Sequence, residues 1–274
     1  MTATTYLYVP GDAPERFDKA LRSGTDAVVL DLEDAVALDR KDAARTLVAQ
    51  WVSQCEPSGV ELWVRVNPGA IQERDIRAVV SRNLTGIWLP KVESAEQVTA
   101  ADRVLTECRA DHARISALVE TATGLLALPR IAHAPRIDYL QIGEVDLAAD
   151  LGIEVDDSAE QLLFARGQMV TASAAAGIAP PVAAVSVNFT DLPAFEADTR
   201  RLRRLGFAGR ACIHPKQLPS VRAVFTPTAD ELRDAKDILD RLSAAPSGVG
   251  VDARGRLIDE AVARSARRVL ARAR

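Results

Sequence analysis

Residues 27–34 read Ala-Val-Val-Leu-Asp-Leu-Glu-Asp, and this stretch decides the fold class because an apolar run ends directly in acidic residues. Similar β-prone runs recur along the chain. Together they predict eight strands: Tyr6 to Pro10, Ala27 to Leu32, Glu61 to Asn67, Gly86 to Val92, Ile115 to Glu120, Tyr139 to Gly143, Pro181 to Ser186 and Arg210 to His214. Most of these runs are apolar throughout, which is typical of parallel strands that are covered on both faces.

Amphipathic stretches separate the strands and predict helices. They are Pro14 to Ser23, Asp39 to Gln54, Ile71 to Arg82, Ser94 to Arg109, Thr123 to His133, Ser158 to Ala176, Asp191 to Leu205 and Pro215 to Phe225. Ser94 to Gln97 and Ser158 to Gln161 have the spacing of capping boxes at helix starts. Eight strand–helix units in 274 residues predict an α/β protein with a TIM (β/α)8 barrel.

The chain continues beyond the eighth unit. Thr228 to Ala244 and Leu257 to Ala273 predict two more helices, which are joined by the glycine-rich stretch Pro246 to Gly255. We therefore assign residues 1–225 to the barrel and residues 226–274 to a C-terminal helical extension and lid. An extension of this kind can contribute to the active site of a neighbouring subunit.

Composition argues against several classes of function. A net charge of −4 and an aromatic content of 4% disfavour binding to nucleic acid. No window is long and apolar enough to span a bilayer, and the N-terminus lacks the pattern of a signal peptide. The three cysteines are widely spaced without a C-x-x-C pair, so they indicate neither a disulfide framework nor a zinc site. We expect a soluble cytoplasmic protein that binds no membrane and no nucleic acid.

Acidic residues at neighbouring strand exits predict a metal site. In a TIM barrel the chemistry collects at the C-terminal ends of the strands. Glu120 ends the fifth predicted strand and Asp146 follows the sixth, so we expect their carboxylates to lie close together. A pair of acidic oxygens without a nearby histidine or cysteine suits a hard cation such as Mg²⁺. For either residue alone, a solvated loop charge is the alternative.

The second strand exit carries a dense group of like charges. Asp31, Glu33 and Asp34 fall within four positions, and such crowding needs cations or hydrogen-bond donors nearby. Arg65 and Lys91, which end the third and fourth predicted strands, can supply positive charge. Arg65 either holds a substrate carboxylate through its planar guanidinium or forms an ion pair with Asp31 or Glu33, and the spacing leaves both roles open.

Eight short motifs follow one another along nearly the whole chain. They are Leu7-Tyr8-Val9-Pro10-Gly11, Asp31-Leu32-Glu33-Asp34-Ala35-Val36, Arg65-Val66-Asn67, Leu89-Pro90-Lys91-Val92-Glu93, Glu120-Thr121-Ala122-x-Gly124, Gly143-x-x-Asp146-Leu147, Ile213-His214-Pro215 and Leu257-Ile258-Asp259. In order and spacing the chain resembles the citrate lyase β-subunit and malyl-CoA lyase family, within the HpcH/HpaI aldolase superfamily. This resemblance implies a trimeric or hexameric TIM-barrel enzyme that cleaves or forms a carbon–carbon bond in a 3-hydroxyacyl-CoA.

The resemblance also implies roles for individual residues. The metal ligands of the family fall on Glu120 and Asp146, and the arginine that binds the substrate carboxylate falls on Arg65. The other implied positions are supporting acids at Glu33 and Asp34, coenzyme A phosphate contacts at Arg16 and Lys19, and a catalytic lid aspartate from a neighbouring subunit at Asp259. We add Asn67 and Lys91 as substrate contacts because they lie at predicted strand exits.

Two stretches depart from the family pattern. The lid continues as Glu260-Ala261-Val262, where family members commonly have a proline, and Glu144 replaces the usual small residue after Gly143. Glu144 either adds a charge near the metal or faces solvent.

We predict a Mg²⁺-dependent carbon–carbon lyase. It would cleave or condense a 3-hydroxyacyl-CoA such as malyl-CoA, citramalyl-CoA or citryl-CoA, with acetyl-CoA and an α-keto acid as the other reactants. One alternative is a metal-dependent aldolase for free hydroxy-oxo acids, but such enzymes share a histidine base early in the barrel and no histidine precedes His112 here. Another is a carrier-protein-dependent subunit of a larger citrate lyase complex. The choice among glyoxylate, pyruvate and oxaloacetate stays open.

Overall fold

Eight parallel strands form a closed barrel in which each strand pairs with the next along the chain. The computed structural model describes residues 3–56, 58–245, 248–252 and 254–273. The strands are β1 (Thr5–Pro10), β2 (Ala27–Asp31), β3 (Glu61–Arg65), β4 (Gly86–Leu89), β5 (Arg114–Val119), β6 (Ile137–Ile142), β7 (Val182–Ala183) and β8 (Gly209–Cys212). Strand β8 pairs with β1 and leaves the sheet without an edge. The predicted TIM barrel is confirmed.

Helices follow the strands in the expected alternation. They are α1 (Phe17–Leu21), α2 (Lys41–Gln54), α3 (Gln72–Val79), α4 (Ala95–Glu107), α5 (Ala122–Ala132), α6 (Glu144–Leu151), α7 (Leu163–Ala176), α8 (Leu192–Leu205) and α9 (Leu218–Phe225). Short 3₁₀ turns stand before several of them, at Pro14–Arg16, Leu38–Arg40, Gly69–Ile71, Glu160–Leu162 and Pro215–Gln217.

Helix α6 has no counterpart in the sequence prediction. Leu147 is its only buried side chain, so the apolar periodicity that identifies longer helices is missing. Gly152 ends the helix at φ 65, and Glu144 and Asp146 lie in its first turn. Acidic residues at a helix start and a glycine just past its end are the signals that could have identified α6.

Two other local predictions change. The capping box at Ser94 is confirmed at the start of α4. The box at Ser158 is wrong, because the Ser158 hydroxyl donates to Asp156 Oδ1 at 2.6 Å and α7 begins only at Leu163. Strand β7 is shorter than predicted, since the carbonyl of Ala184 accepts a hydrogen bond from Arg210 Nε at 3.1 Å.

Aromatic side chains fill the interior of the barrel below the strand exits. Tyr6, Trp63, Trp88 and Tyr139 are all buried. Trp88 Nε1 donates to Tyr139 Oη at 2.9 Å, and the rings of Tyr6 and Tyr139 lie 5.5 Å apart. Tyr8, two residues beyond Tyr6 on β1, faces the same interior and lines a cavity. The rings of Tyr8 and Trp88 lie 5.2 Å apart, so the aromatic layer packs against a residue of the cavity wall.

The chain divides into two compact units, one of residues 3–221 and one from residue 222 onwards. The second unit contains α10 (Ala229–Ser243), the antiparallel pair β9 (Gly250–Val251) and β10 (Leu257–Ile258), and α11 (Glu260–Ala271). The predicted last helix begins later than expected because Leu257 and Ile258 pair with β9.

The glycine-rich stretch predicted between the last two helices is only partly described. Pro246, Ser247 and Ala253 lie outside the described residues. Within the described residues, no helix combines the length and the apolar character that a bilayer crossing requires.

Candidate active site

Glu120 follows β5 directly and is 2% exposed. The backbone N–H of Lys91 donates to Glu120 Oε1 at 2.8 Å. Lys91 adopts φ 53, a left-handed conformation that costs a non-glycine residue on the order of 1–3 kcal/mol. Strand β4 ends at Leu89, so Lys91 lies in the following loop, and its strained backbone orients the Glu120 carboxylate.

Gly143 leaves the space that the Glu120 side chain occupies. A Cβ atom at Gly143 would lie 2.4 Å from Glu120 Oε2 and 2.7 Å from Glu120 Cβ. Any larger residue at the end of β6 would therefore displace Glu120. This close approach explains why a glycine stands between β6 and α6.

Asp146 lies in the first turn of α6, near enough to Glu120 to affect its ionisation. Burial raises the pKa of Glu120 to about 8, and the negative charges of Glu33 and Asp146 add to this effect. The hydrogen bond from the Lys91 backbone lowers the pKa only partly. A cation between the two carboxylates would remove this penalty.

The donor set of Glu120 and Asp146 fits Mg²⁺. Both are oxygen ligands, and Mg²⁺ commonly binds one or two carboxylates while water and substrate fill its other positions. In the described part of the chain, no group of three or more His, Cys, Asp or Glu side chains is arranged to hold a metal ion. Two carboxylates leave the other positions of a Mg²⁺ ion open for water and substrate.

Arg65 forms a two-point ion pair across adjacent strands. Asp31 and Arg65 are register partners at the ends of β2 and β3. Arg65 Nε donates to Asp31 Oδ1 at 2.7 Å, and Arg65 Nη2 donates to Asp31 Oδ2 at 2.5 Å. The guanidinium carbon lies 5.0 Å from the centroid of the Tyr8 ring. Burial alone would lower the pKa of Arg65, but Tyr8 and Asp31 raise it, and the group stays charged.

Glu33 lies between the two cations of the site. Lys91 Nζ donates to Glu33 Oε1 at 2.7 Å, and this bond raises the pKa of Lys91. Arg65 Nη1 lies 2.9 Å from Glu33 Oε2, but the geometry makes no hydrogen bond, and this buried oxygen has no hydrogen-bond partner among the described residues. Burial raises the pKa of Glu33 despite both cations. The ion pairs that the sequence left open at Arg65 are thus formed with both Asp31 and Glu33.

Asp34 and Asn67 lie at the edge of this network. Asp34 is largely exposed and lies 3.7 Å from Lys91 Nζ. Asn67 is buried, and its Nδ2 donates to Asp75 Oδ2 at 2.7 Å. Neither residue lines the cavity described below, and their predicted roles in catalysis and substrate binding stay predictions.

A cavity of about 710 Å³ opens at the C-terminal ends of the barrel strands. This volume lies within the range of roughly 300–1,000 Å³ that small-molecule sites occupy. Its lining is mainly apolar, and its charged members are Arg16, Lys19, Asp31, Arg65, Glu120, Glu144 and Asp146. The barrel therefore brings the predicted metal ligands, the predicted carboxylate-binding arginine and the predicted coenzyme A contacts to one cavity.

Asp259 belongs to the second unit. It is the N-cap of α11, where Asp259 Oδ1 accepts a hydrogen bond from the Val262 backbone at 3.0 Å. Its assignment as a catalytic acid stays a prediction.

Sequence analysis missed two buried charged residues near the site. Asp75 on α3 holds Asn67 and also accepts a hydrogen bond from Arg45 Nε at 2.5 Å. Arg166 on α7 pairs with Glu144, so the Glu144 carboxylate is compensated within the chain and does not simply face solvent. Arg166 shares the buried face of α7 with Met169. A charge within an apolar helical stripe is the signal that could have identified it.

The chain is similar to known proteins over nearly its whole length. The family model described as HpcH/HpaI aldolase/citrate lyase matches residues 4–215. The chain is 31% identical to the citrate lyase subunit beta of Leuconostoc mesenteroides, over 97% of this chain and 91% of that protein. It is 31% identical to the L-malyl-CoA/beta-methylmalyl-CoA lyase of Cereibacter sphaeroides, over 92% and 89% of the two chains.

A solved structure is similar over the whole chain. It is the protein CitE from Mycobacterium tuberculosis in complex with magnesium, acetoacetate and coenzyme A. The TM-score is 0.83 at 31% sequence identity, and the match covers 99% of this chain and 98% of that one.

Proposed function

The chain belongs to the HpcH/HpaI aldolase/citrate lyase family, and we propose that it is a Mg²⁺-dependent lyase of 3-hydroxyacyl-CoA thioesters. The substrate would be a compound such as malyl-CoA, citramalyl-CoA or citryl-CoA, split into acetyl-CoA and an α-keto acid or formed from them. One observation carries the proposal. Glu120, Asp146 and Arg65 line the same cavity as the exposed cations Arg16 and Lys19.

Glu120 and Asp146 are the residues that would hold the ion. When bound, Mg²⁺ acts as a Lewis acid toward the hydroxyl or carbonyl oxygen of the substrate. Lys91 fixes Glu120 through its backbone, and Gly143 leaves the carboxylate room. The similar CitE structure from Mycobacterium tuberculosis is a complex with magnesium and coenzyme A, which supports the same assignment.

Arg65 orients the carboxylate of the acid part of the substrate. Asp31 takes the edge of the guanidinium formed by Nε and Nη2. The Nη1 end lies 2.9 Å from Glu33 Oε2 without a hydrogen bond, and Arg65 lines the cavity, so a substrate carboxylate would compete with Glu33 for this end. Because Arg65 is held on three sides by Asp31, Glu33 and Tyr8, it presents this end in one orientation.

Arg16 and Lys19 are suited to the phosphates of the coenzyme. Arg16 is largely exposed and follows β1 in the same wall of the cavity as Lys19. Exposed cations at a cavity mouth attract a polyanionic ligand without a large loss of their own hydration. The apolar part of the lining suits the pantetheine arm, which has few charges.

Cleavage releases the thioester part as an enolate that must gain a proton. We assign this proton transfer to Asp259, contributed by a neighbouring subunit. In the Asp259→Ala variant, Mg²⁺ binding should persist while hydrogen exchange at the methyl group of acetyl-CoA is lost. Retained exchange would remove Asp259 from the mechanism.

The decisive assay offers malyl-CoA, citramalyl-CoA and citryl-CoA to the full chain, with Mg²⁺ or with EDTA. We expect acetyl-CoA and a keto acid from at least one thioester, and only with Mg²⁺. Turnover of free hydroxy-oxo acids would favour the aldolase alternative. Turnover that requires an acyl-carrier protein would favour a subunit of a larger complex, a role consistent with the name of the Leuconostoc mesenteroides relative.

Assembly and location complete the proposal. A homotrimer or hexamer is the assembly that would let Asp259 of one copy act in the site of another, and sedimentation measures it directly. A cytoplasmic location accompanies this function, and cell fractionation tests it.

A further inference from the structure

Helix α6 carries Asp146 but has little apolar anchorage. Of its eight residues only Leu147 is buried, and Val145, between the cavity residues Glu144 and Asp146, is 64% exposed. A helix in a barrel is ordinarily held by an apolar stripe that packs against the sheet. Since one leucine is a narrow anchor, other contacts must fix the position of Asp146.

The strongest of these contacts is a buried ion pair at the first turn. Arg166 Nε donates to Glu144 Oε1, and Arg166 Nη2 donates to Glu144 Oε2, both at 2.7 Å. The Arg166 side chain is 3% exposed and the Glu144 side chain 17% exposed. A two-point bond between planar groups fixes direction as well as distance. It ties Glu144, the first residue of α6, to the first turn of α7.

A second polar contact holds the other end of α6. Asp150 Oδ2 accepts a hydrogen bond from the Ala122 backbone at 2.7 Å, and Ala122 is the first residue of α5, two positions beyond Glu120. The two contacts together connect α6 to both neighbouring helices. The contact between Asp150 and Ala122 reaches the segment that carries Glu120, the other proposed metal ligand.

We propose that Arg166 is a positioning residue, which holds Glu144 and the first turn of α6 so that Asp146 faces Glu120 across the cation position. The pair also keeps the Glu144 carboxylate, which lines the cavity, compensated by Arg166. Glu144 is thus a support for the site and not a third ligand. The inference rests on the proposed cation site.

The test measures Mg²⁺ binding by calorimetry on the full chain, without any turnover. In Arg166→Met we expect the dissociation constant for Mg²⁺ to rise about tenfold or more, the size of effect seen when groups that orient metal ligands are removed. Arg166→Lys keeps the charge but loses the two-point bond, so it should recover only part of the affinity. Hydrogen exchange of the α6 amides should accelerate in both variants with no metal present.

Arg136→Met is the matched control. Arg136 is also a largely buried arginine paired with an acid, Asp102, but it lies just before the first residue of β6, at the opposite end of that strand from Glu144. Its loss should lower stability and leave Mg²⁺ affinity and α6 exchange unchanged. If Arg166→Met fails to fold, Arg166→Lys carries the test of Arg166. Asp150→Ala tests the second contact of α6, because Asp150 is exposed, and it should weaken Mg²⁺ binding about threefold.

The outcomes are separable from those of the proposed lyase activity. Unchanged Mg²⁺ affinity and unchanged α6 exchange in Arg166→Met and Asp150→Ala would overturn the positioning role, even in an active lyase. An equal loss of Mg²⁺ affinity in Arg136→Met would mean that general destabilisation weakens Mg²⁺ binding. That result would overturn the positioning role of Arg166 as well. If the unsubstituted chain binds no Mg²⁺, the cation site itself fails, and the role of Arg166 fails with it.

Discussion

The two sides of the candidate active site treat their carboxylates in opposite ways. On the paired side, at the ends of β2 and β3 and the loop after β4, Asp31 and Glu33 meet Arg65 and Lys91. On the open side, after β5 and β6, Glu120 and Asp146 meet each other. The paired side balances its charge within the chain, whereas the open side leaves negative charge for a ligand. Stability should therefore depend mostly on the first side, and activity on the second.

Substitutions on the open side should separate activity from stability most clearly. We expect Glu120→Gln and Asp146→Asn to lower lyase turnover about a thousandfold, because a Lewis acid contributes several kcal/mol to charge stabilisation. Without Mg²⁺ and above pH 8, where Glu120 is ionised, both variants should melt at or above the temperature of the unsubstituted chain, since like-charge repulsion is relieved. Asp111→Asn, at a largely exposed position, is the control. Loss of folding in Glu120→Gln or Asp146→Asn would show that the open side supports the fold, and would contradict the division between the two sides.

On the paired side the same kind of change should act on folding. Arg65→Met leaves buried Asp31 without its main partner and Glu33 with Lys91 alone, and removal of one member of a buried ion pair costs roughly 3–5 kcal/mol. Urea denaturation should show this loss in the free energy of unfolding. Arg65→Lys should lose less, because one ammonium replaces only part of the two-point bond. A normal unfolding midpoint in Arg65→Met would mean that Arg65 serves the substrate alone.

The pH dependence of stability should be set by Glu120. Its pKa is raised from 4.5 to about 8 in the folded chain, so between these values the folded state holds a proton that the unfolded state has released. The free energy of unfolding should therefore fall as the pH rises through this window, by a few kcal/mol at most, since one pKa unit corresponds to about 1.4 kcal/mol.

Melting curves in EDTA between pH 5 and pH 8.5 measure this fall. The fall should be smaller in Glu120→Gln than in the unsubstituted chain, because glutamine has no proton to lose. In the unsubstituted chain the fall should also become smaller when Mg²⁺ replaces EDTA. An equal slope in Glu120→Gln would assign the titration to another group.

Lys91 contacts both sides of the site, and a substitution can separate the contribution of its side chain from that of its backbone. Its side chain bonds Glu33, while its backbone bonds Glu120. Lys91→Met should cost about 1 kcal/mol of stability, because the side chain is 41% exposed and the ion pair is partly hydrated. Mg²⁺ affinity should stay unchanged, because the backbone bond persists. A tenfold loss of Mg²⁺ affinity would show that the ammonium acts on the open side too.

The smallest effects should come from the mouth of the cavity. Arg16→Gln and Lys19→Gln should each raise KM for the CoA thioester about threefold, with kcat and melting temperature unchanged, because an exposed ion pair contributes about 0.2–1 kcal/mol. The effect should shrink as ionic strength rises. A change in kcat without a change in KM would place these residues in the chemistry instead of in coenzyme binding.

The sequence predicted more of the barrel than of its loops. Apolar runs such as residues 27–30 identify strands because burial on both faces demands them. Helix α6 was not predicted, because one buried leucine makes no periodic pattern. Asn67 stays a predicted substrate contact, and the structure adds that its amide is bonded to Asp75, eight residues further on. No local pattern around Asn67 indicates that partner.

By itself, the sequence determined the eight-fold alternation of strands and helices and therefore which acidic and basic residues stand at the strand exits. That much follows from local physics, since the period of apolar residues sets each element and the element sets its end. Only the tertiary structure decided which charges pair. Arg65 meets Asp31 because β2 and β3 align in register, and Glu120 is oriented by a loop that holds Lys91 in a left-handed conformation. Such choices depend on burial and on distances of a few ångströms, which arise only when the barrel closes.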